Sequence, residues 1–364
     1  MPVSDGRDLN RFIAFPYHHY RRDPFWVPQL RMDVRTLLTP GKNPFFEHAE
    51  AQYFLATAAG EPVGRIAAIK NDAHTREHRD RVGFYGFFEC VEDQRVATAL
   101  FDAAAGWLRQ RRFAVMRGPV SPSINDEAGL LVEGFDTPPT LMMPHNPRYY
   151  VALHEQYGFT KAKDLLAFES SSIALPERIA RAARLVAERN GITLRPLNMK
   201  RFTAEVELIK QLYNEAWERN WGFVPLTDRE IDHLAKQLKP IVVPELVCFA
   251  ELGDKIVGFA VALPDLNVAL KHNPSGRLYG LPKILWYARR IHRVRILLLG
   301  AIKEYRRRGV DALMYHWIWT KGVARGYTWG EGGWILEDNA PMVNAAAQLG
   351  FHPYKTYRIY DNPL

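Results

Sequence analysis

Apolar positions along the chain alternate between a spacing of two residues and a spacing of three to four, and the order of these stretches is repeated. "FLATAAGEPVGRIAAI" (54–69) and "CFAELGDKIVGFAVAL" (248–263) each read as strand, glycine-containing turn and strand. "VEDQRVATALFDAAAGWLRQRRF" and "EYRRRGVDALMYHWIWTKGVARG" then carry the helical spacing of a buried face, each after an apolar strand. Both halves close on a helix, a Gly-Phe pair and a last strand, in "HEQYGFTKAKDLLAFE" and "AAQLGFHPYKTYRIY". Gly64 and Gly258 stand 194 residues apart, Leu100 and Leu313 213, and Gly158 and Gly350 192. Conserved order with a changing offset is what duplication followed by insertion produces. The insertions fall near 264–292 in the second half and near 128–145 in the first. The pattern predicts an α/β (α+β) chain of two tandem domains, each a mixed central sheet flanked by helices. They span 1–170 and 192–364, with a linker helix at 171–191.

Composition agrees with this and adds a sign. At 364 residues, 47% hydrophobic and 24% charged, the chain fits about two globular domains. Lys and Arg number 48 against 40 Asp and Glu, a net charge of +8 that suits an anionic partner. Cys90 and Cys248 lie in apolar runs and cannot build a disulfide framework, which predicts a reducing, cytoplasmic setting. No Cys-x-x-Cys is present and the histidines are scattered, so no metal is expected; "HHY" (18–20) reads as surface. Neither G-x-S-x-G nor a phosphate-loop G-x-x-x-x-G-K-S/T occurs. Nucleic-acid binding has only the net charge in its favour, and none is expected. No apolar run approaches the ~20 residues of a membrane span.

The chemistry-bearing stretch is "EYRRRGVDALMYHW" (304–317). A helix start offers unpaired N–H groups and the positive end of the dipole, a ready site for phosphate. Gly309 carries no Cβ to keep a phosphate from the backbone, and Arg306, Arg307 and Arg308 add charged donors. The amides of Val310, Asp311 and Ala312 belong to the first helical turn. A solvated basic face is the plainer reading of the same charges.

At these residues the sequence resembles the GNAT acyltransferase superfamily, whose acyl-CoA diphosphate loop reads Arg/Gln-x-x-Gly-x-Gly/Ala. Arg306 and Gly309 match, and Asp311 departs. The resemblance extends over 190–364, through Asn339 before the penultimate helix and Leu349-Gly350-Phe351. In the first half the same register puts Asp93 and Val96 where Arg306 and Gly309 stand, so that half resembles a GNAT domain without the loop. "GPVSPSINDEAGLLVEGFDTPP", "MMPHNPRYY" and "NWGFVPLTD" are similar to a tandem bacterial group that includes proposed ceramide synthases.

The resemblance implies acyl transfer from a CoA thioester to an amine, with acetyl-CoA or a long-chain acyl-CoA as co-substrate, or an acyl carrier protein in its place. Backbone donors at Leu298, Leu299 and Gly300 would polarise the thioester carbonyl. Glu337 would take the ammonium proton, although Glu337 and Asn339 read equally as helix-start residues, Asn339 as the cap. The usual acid position holds Ala346, leaving Tyr354 or Tyr357 on the last strand as candidates that read equally as core or surface aromatics. Asn125, Asp126 and Glu127 would grip a cationic amine, or cap turns. Trp221 and Phe223 would line an apolar groove, or pack in the core.

Between Asp265 and Glu304 there is no acidic residue, and basic residues are mixed with Leu278, Tyr279, Leu285 and Trp286. That mixture suits an interfacial helix on an anionic membrane, and two apolar insertions suit a lipid acceptor such as a sphingoid base. An N-acetyltransferase of a small amine, and an inactive pair serving as a lipid- or protein-binding module, stand as alternatives.

Overall fold

The computed structural model describes residues 1–364 apart from 173, 176, 219, 306 and 307, and apart from the side chains at 182 and 190. Its contacts divide the chain into two compact units. The first is Met1–Leu165 with Asn267–Arg289 and Lys355–Leu364; the second is Leu166–Leu266 with Arg290–Tyr354. The expected linker therefore lies within the second unit. The second-half insertion and the end of the last strand belong to the first.

In chain order the elements begin with α1 (Gly6–His19), α2 (Arg31–Leu38), β1 (Ala49–Ala58), β2 (Glu61–Asn71), α3 (Asp72–His78), β3 (Val82–Cys90) and α4 (Gln94–Gln110). There follow β4 (Val115–Gly118), β5 (Val120–Ser121), β6 (Glu127–Ala128), β7 (Leu130–Glu133), α5 (Tyr149–Tyr157) and β8 (Thr160–Ser170). The second stretch holds α6 (Glu177–Asn190), β9 (Thr193–Pro196), α7 (Phe202–Trp217), α8 (Asp228–Leu238), β10 (Val247–Leu252) and β11 (Lys255–Pro264). It ends with α9 (Asn267–Leu270), α10 (Leu281–Ala288), β12 (Arg293–Ala301), α11 (Val310–Ala324), β13 (Trp329–Leu336), α12 (Ala340–Gln348) and β14 (His352–Pro363).

In the first unit β1, β2 and β3 form an antiparallel run, and β3 meets β4 in parallel over Val82–Phe84. The end of β14 closes on β4 (Tyr360 opposite Gly118) and on β7 (Tyr357 opposite Leu131). The apolar stripe of α4, including Leu100, Phe101, Ala104 and Leu108, is buried with Phe88, Phe159 and Tyr360. Both cysteines are buried and free, and burial pushes each thiol up to about 12, which suits packing rather than nucleophilic chemistry.

In the second unit β9, β10, β11 and β12 are antiparallel and β13 joins β12 in parallel. A capping box starts α8: the Thr227 hydroxyl accepts from Glu230 N, and the Glu230 carboxylate accepts from Thr227 N at 2.8 Å. Where α7 crosses β12 there is no room for a side chain: a Cβ on Gly300 would lie 2.9 Å from Ala216 Cβ.

Candidate functional site

The strand-to-helix turn of the second unit supplies the first part of the site. Arg293–Ile296 of β12 pair with β13, and the pairing ends there. Beyond it β12 carries an extra residue at Leu297, since Ile296 opposes Ala262 while Leu298 opposes Val261. Leu298, Leu299 and Gly300 follow, held on one side by β11 and lying beyond the stretch that pairs with β13. The buried pair Arg295 and Glu331, 3.4 Å apart on facing residues, lies at the base of this divergence, and the Tyr354 hydroxyl donates to Glu331. The strands are thus pinned together at one end and open at the other.

Gly309 caps α11 with φ +79°, a backbone shape that favours glycine. The close approach seen there is that of α6: a Cβ on Gly309 would sit 2.6 Å from Val186 Cγ2. Arg308 is exposed, with its guanidinium 5.0 Å from the ring centroid of Tyr305. Val310 is buried, and Asp311 and Ala312 are half-buried in the first turn. Arg306 and Arg307 lie outside the described residues. Glu337 sits half-buried in the turn after β13. Asn339 caps α12, its side chain accepting from Met342 N at 3.4 Å, so the capping alternative holds for it. Phe223 is buried and Trp221 half-buried, between α7 and α8.

Tyr357 lies in the other unit. It is fully buried, and a Cβ on Gly129 would lie 2.8 Å from its own Cβ. The structure does not gather it into one unit with Glu337.

The corresponding turn in the first unit is built differently. α4 is capped by Asp93, whose carboxylate accepts from Arg95 N at 2.9 Å. The caps therefore equate Asp93 with Gly309, three residues from the register read along the sequence. Divergence of β3 from β4 is filled as well: Phe87, at φ +50°, donates its amide to Ser121 Oγ at 2.9 Å, and a Cβ on Gly86 would lie 1.6 Å from Val120 O. A carboxylate stands where the second unit has a glycine cap, and a β-strand stands in the gap.

Beside that filled gap the first unit carries a partly open cavity of about 130 Å³. Its walls include Ile13, Trp26, Phe87, Leu130, Arg65 and Glu89. Glu127 lines it too, while Asn125 and Asp126 lie in the turn before, where Ser123 Oγ donates to Asp126 at 2.6 Å. Arg65 and Glu89 face each other across β2 and β3, with 3.7 Å between guanidinium and carboxylate. Tyr20 and Tyr150 both donate to Glu89 Oε2, Tyr150 at 2.9 Å. Burial pushes both hydroxyls well above the usual tyrosine range, so they remain donors. His19 Nε2 lies 3.1 Å from the Tyr150 hydroxyl, and burial lowers its pKa.

"HHY" is therefore not a surface run: His18 is exposed, but His19 and Tyr20 belong to the Glu89 network. Sequence reasoning missed this centre, although opposite charges inside two buried strands, Arg in "GRIAAI" and Glu in "YGFFEC", were its signal. Among the described residues, no group of three or more His, Cys, Asp or Glu could hold a metal ion, and no helix is long and apolar enough to cross a membrane.

No family model matches the chain. It is 37% identical to the bacterial ceramide synthase of Caulobacter vibrioides, over 100% of this chain and 97% of that one. It is 36% identical to protein YghO of Escherichia coli, over 98% and 93%. A tandem GNAT protein from the clavulanic acid biosynthesis pathway shares the fold at TM-score 0.57 and 12% identity, covering 100% of this chain and 97% of the other. A GCN5-related N-acetyltransferase from Sphaerobacter thermophilus matches at TM-score 0.50 and 14% identity, over 86% and 80%.

Proposed function

Because the chain belongs to the tandem GNAT family that includes the bacterial ceramide synthase of Caulobacter vibrioides, we propose that it is an N-acyltransferase moving an acyl group from a CoA thioester to the amine of a lipid, a sphingoid base in particular. The observation that carries this reading is identity of 37% over 100% of this chain and 97% of that relative. In this reading the diphosphate rests on Arg306, Arg307, Arg308 and the amides of Gly309–Ala312, and the acyl oxygen on a backbone donor of Leu298–Gly300, where β13 has diverged. The amine nitrogen attacks the thioester carbon and the C–S bond breaks. Before that attack Glu337 takes one proton from the ammonium, and the second proton lost by nitrogen as the amide forms passes to the leaving thiolate. Trp221 and Phe223 border the acceptor. An acyl carrier protein would present the same pantetheine thioester.

A lipid acceptor is supported by the insertion assigned to the first unit. Tyr279, Leu285 and Trp286 are 73%, 67% and 57% exposed, beside exposed Lys271, Arg277, Lys283 and Arg289. Apolar side chains among basic ones and no acidic one suit peripheral contact with an anionic bilayer.

Thermal denaturation with acyl-CoAs tests the donor half. Palmitoyl-CoA should raise Tm more than acetyl-CoA, and the R306A/R307A/R308A variant should lose most of the rise. A larger rise with acetyl-CoA would favour small-amine acetylation. No rise with either would favour a binding module.

A further inference from the structure

We propose that the cavity of the first unit is a binding site for the ammonium head of a long-chain amine, with Glu89 as its counter-ion. This rests on the acceptor class proposed above and goes further, by placing recognition of the amine in the unit that lacks the CoA loop. Glu89 is held from one side only. Both tyrosine hydroxyls bond Oε2, while Oε1 has Arg65 no nearer than 3.7 Å and accepts no hydrogen bond among the described residues. A carboxylate has about four lone-pair sites, so acceptor capacity remains on the wall of the cavity.

The pair of Glu89 and Arg65 is loose, at 3.7 Å, and the other basic lining group, His145, is already joined to Asp23 at 2.8 Å. Arg65 is itself engaged, donating to Phe12 O at 3.0 Å with its guanidinium 4.8 Å from the centroid of that ring. Its Nε and the Nδ1 of His145 are buried without a hydrogen-bond partner among the described residues. The hydroxyls of an amino alcohol, which both donate and accept, would satisfy the Arg65 donor and either tautomer of His145, and buried polar atoms are seldom left unmet.

Beside these groups, Ile13, Trp26, Val34, Phe87, Leu130 and Met143 give the pocket apolar walls, and Tyr17, Gln29, Ser121 and Asn146 add polar ones. A space of about 130 Å³ takes a polar head and its first methylenes. A divalent metal is disfavoured because the described residues offer no cluster of three ligating side chains.

The test is calorimetric titration of the full chain, without acyl donor, using a ten-carbon 2-amino-1,3-diol and the matching neutral triol. The amine should bind at least about tenfold more tightly than the triol. Glu89→Gln should remove that preference while leaving Tm within a few degrees of the parent. Equal affinity for amine and triol in the unsubstituted protein would overturn the proposal whether or not the variant folds, as would a folded Glu89→Gln that keeps the preference. Product analysis with acyl-CoA separates this from the parent reading. Amide formation without charge preference sinks the amine site alone, and charge preference without amide formation sinks the transferase reading alone.

Discussion

Gly309 carries two demands in one position, and they can be separated. Its φ of +79° costs any other residue strain, and its Cβ direction is filled by Val186. Gly309→Ala should therefore destabilise the protein by about 1–3 kcal/mol in denaturant titration, before any question of phosphate. Val186→Ala should rescue the steric part, giving a coupling of at least about 0.5 kcal/mol in a double-mutant cycle. A Gly309→Ala variant as stable as the parent would show that the chain does not hold this contact in solution. The glycine was legible in the sequence as the residue of a helix-opening turn, whereas its neighbour was not. Val186 is 123 positions away and nothing local announces that α6 will cross α11. Arg65 and Glu89 teach the same lesson. Each is a charge inside an apolar strand and was visible in the local pattern, although the register that sets them face to face across β2 and β3, strands joined through α3, was not.

At the scale of elements, the repeated hairpins were readable because alternation and turn glycines are local. Stretches 54–69 and 248–263 fall within β1–β2 and β10–β11. Helix caps were less readable. Aligning leucines on the buried faces gave a register three residues from the one set by Asp93 and Gly309, because a helix can start earlier or later without moving its apolar stripe. The surface role of α10 was visible in its composition, and the structure adds that Leu285 and Trp286 are exposed while Ile284 is buried. We expect the protein to sediment with vesicles of phosphatidylglycerol and phosphatidylcholine, and the bound fraction to fall as salt is raised. Leu285→Ser with Trp286→Ser should weaken binding about tenfold or more through lost apolar burial. Unchanged binding by that variant would remove α10 from any membrane contact.

Across the whole molecule, the chain passes between its two units at 165/166, 266/267, 289/290 and 354/355. A sequence reading cuts at linkers, so it returned two consecutive blocks. The assignment of 267–289 and 355–364 to the first unit depends on distant partners, such as Tyr360 opposite Gly118 and Asn267 donating to Pro139 O at 3.0 Å. The duplication itself was legible, and so was its asymmetry: one copy opens its helix with arginines and glycine, the other with an aspartate cap. The account therefore assigns the thioester to the later copy. The most direct measurement is mass spectrometry of the purified protein incubated with sphinganine and acyl-CoAs from acetyl to palmitoyl. The account predicts an N-acyl sphinganine whose yield rises with chain length and is lost in the R306A/R307A/R308A variant. No amide with any donor, or undiminished amide from the arginine variant, would contradict it.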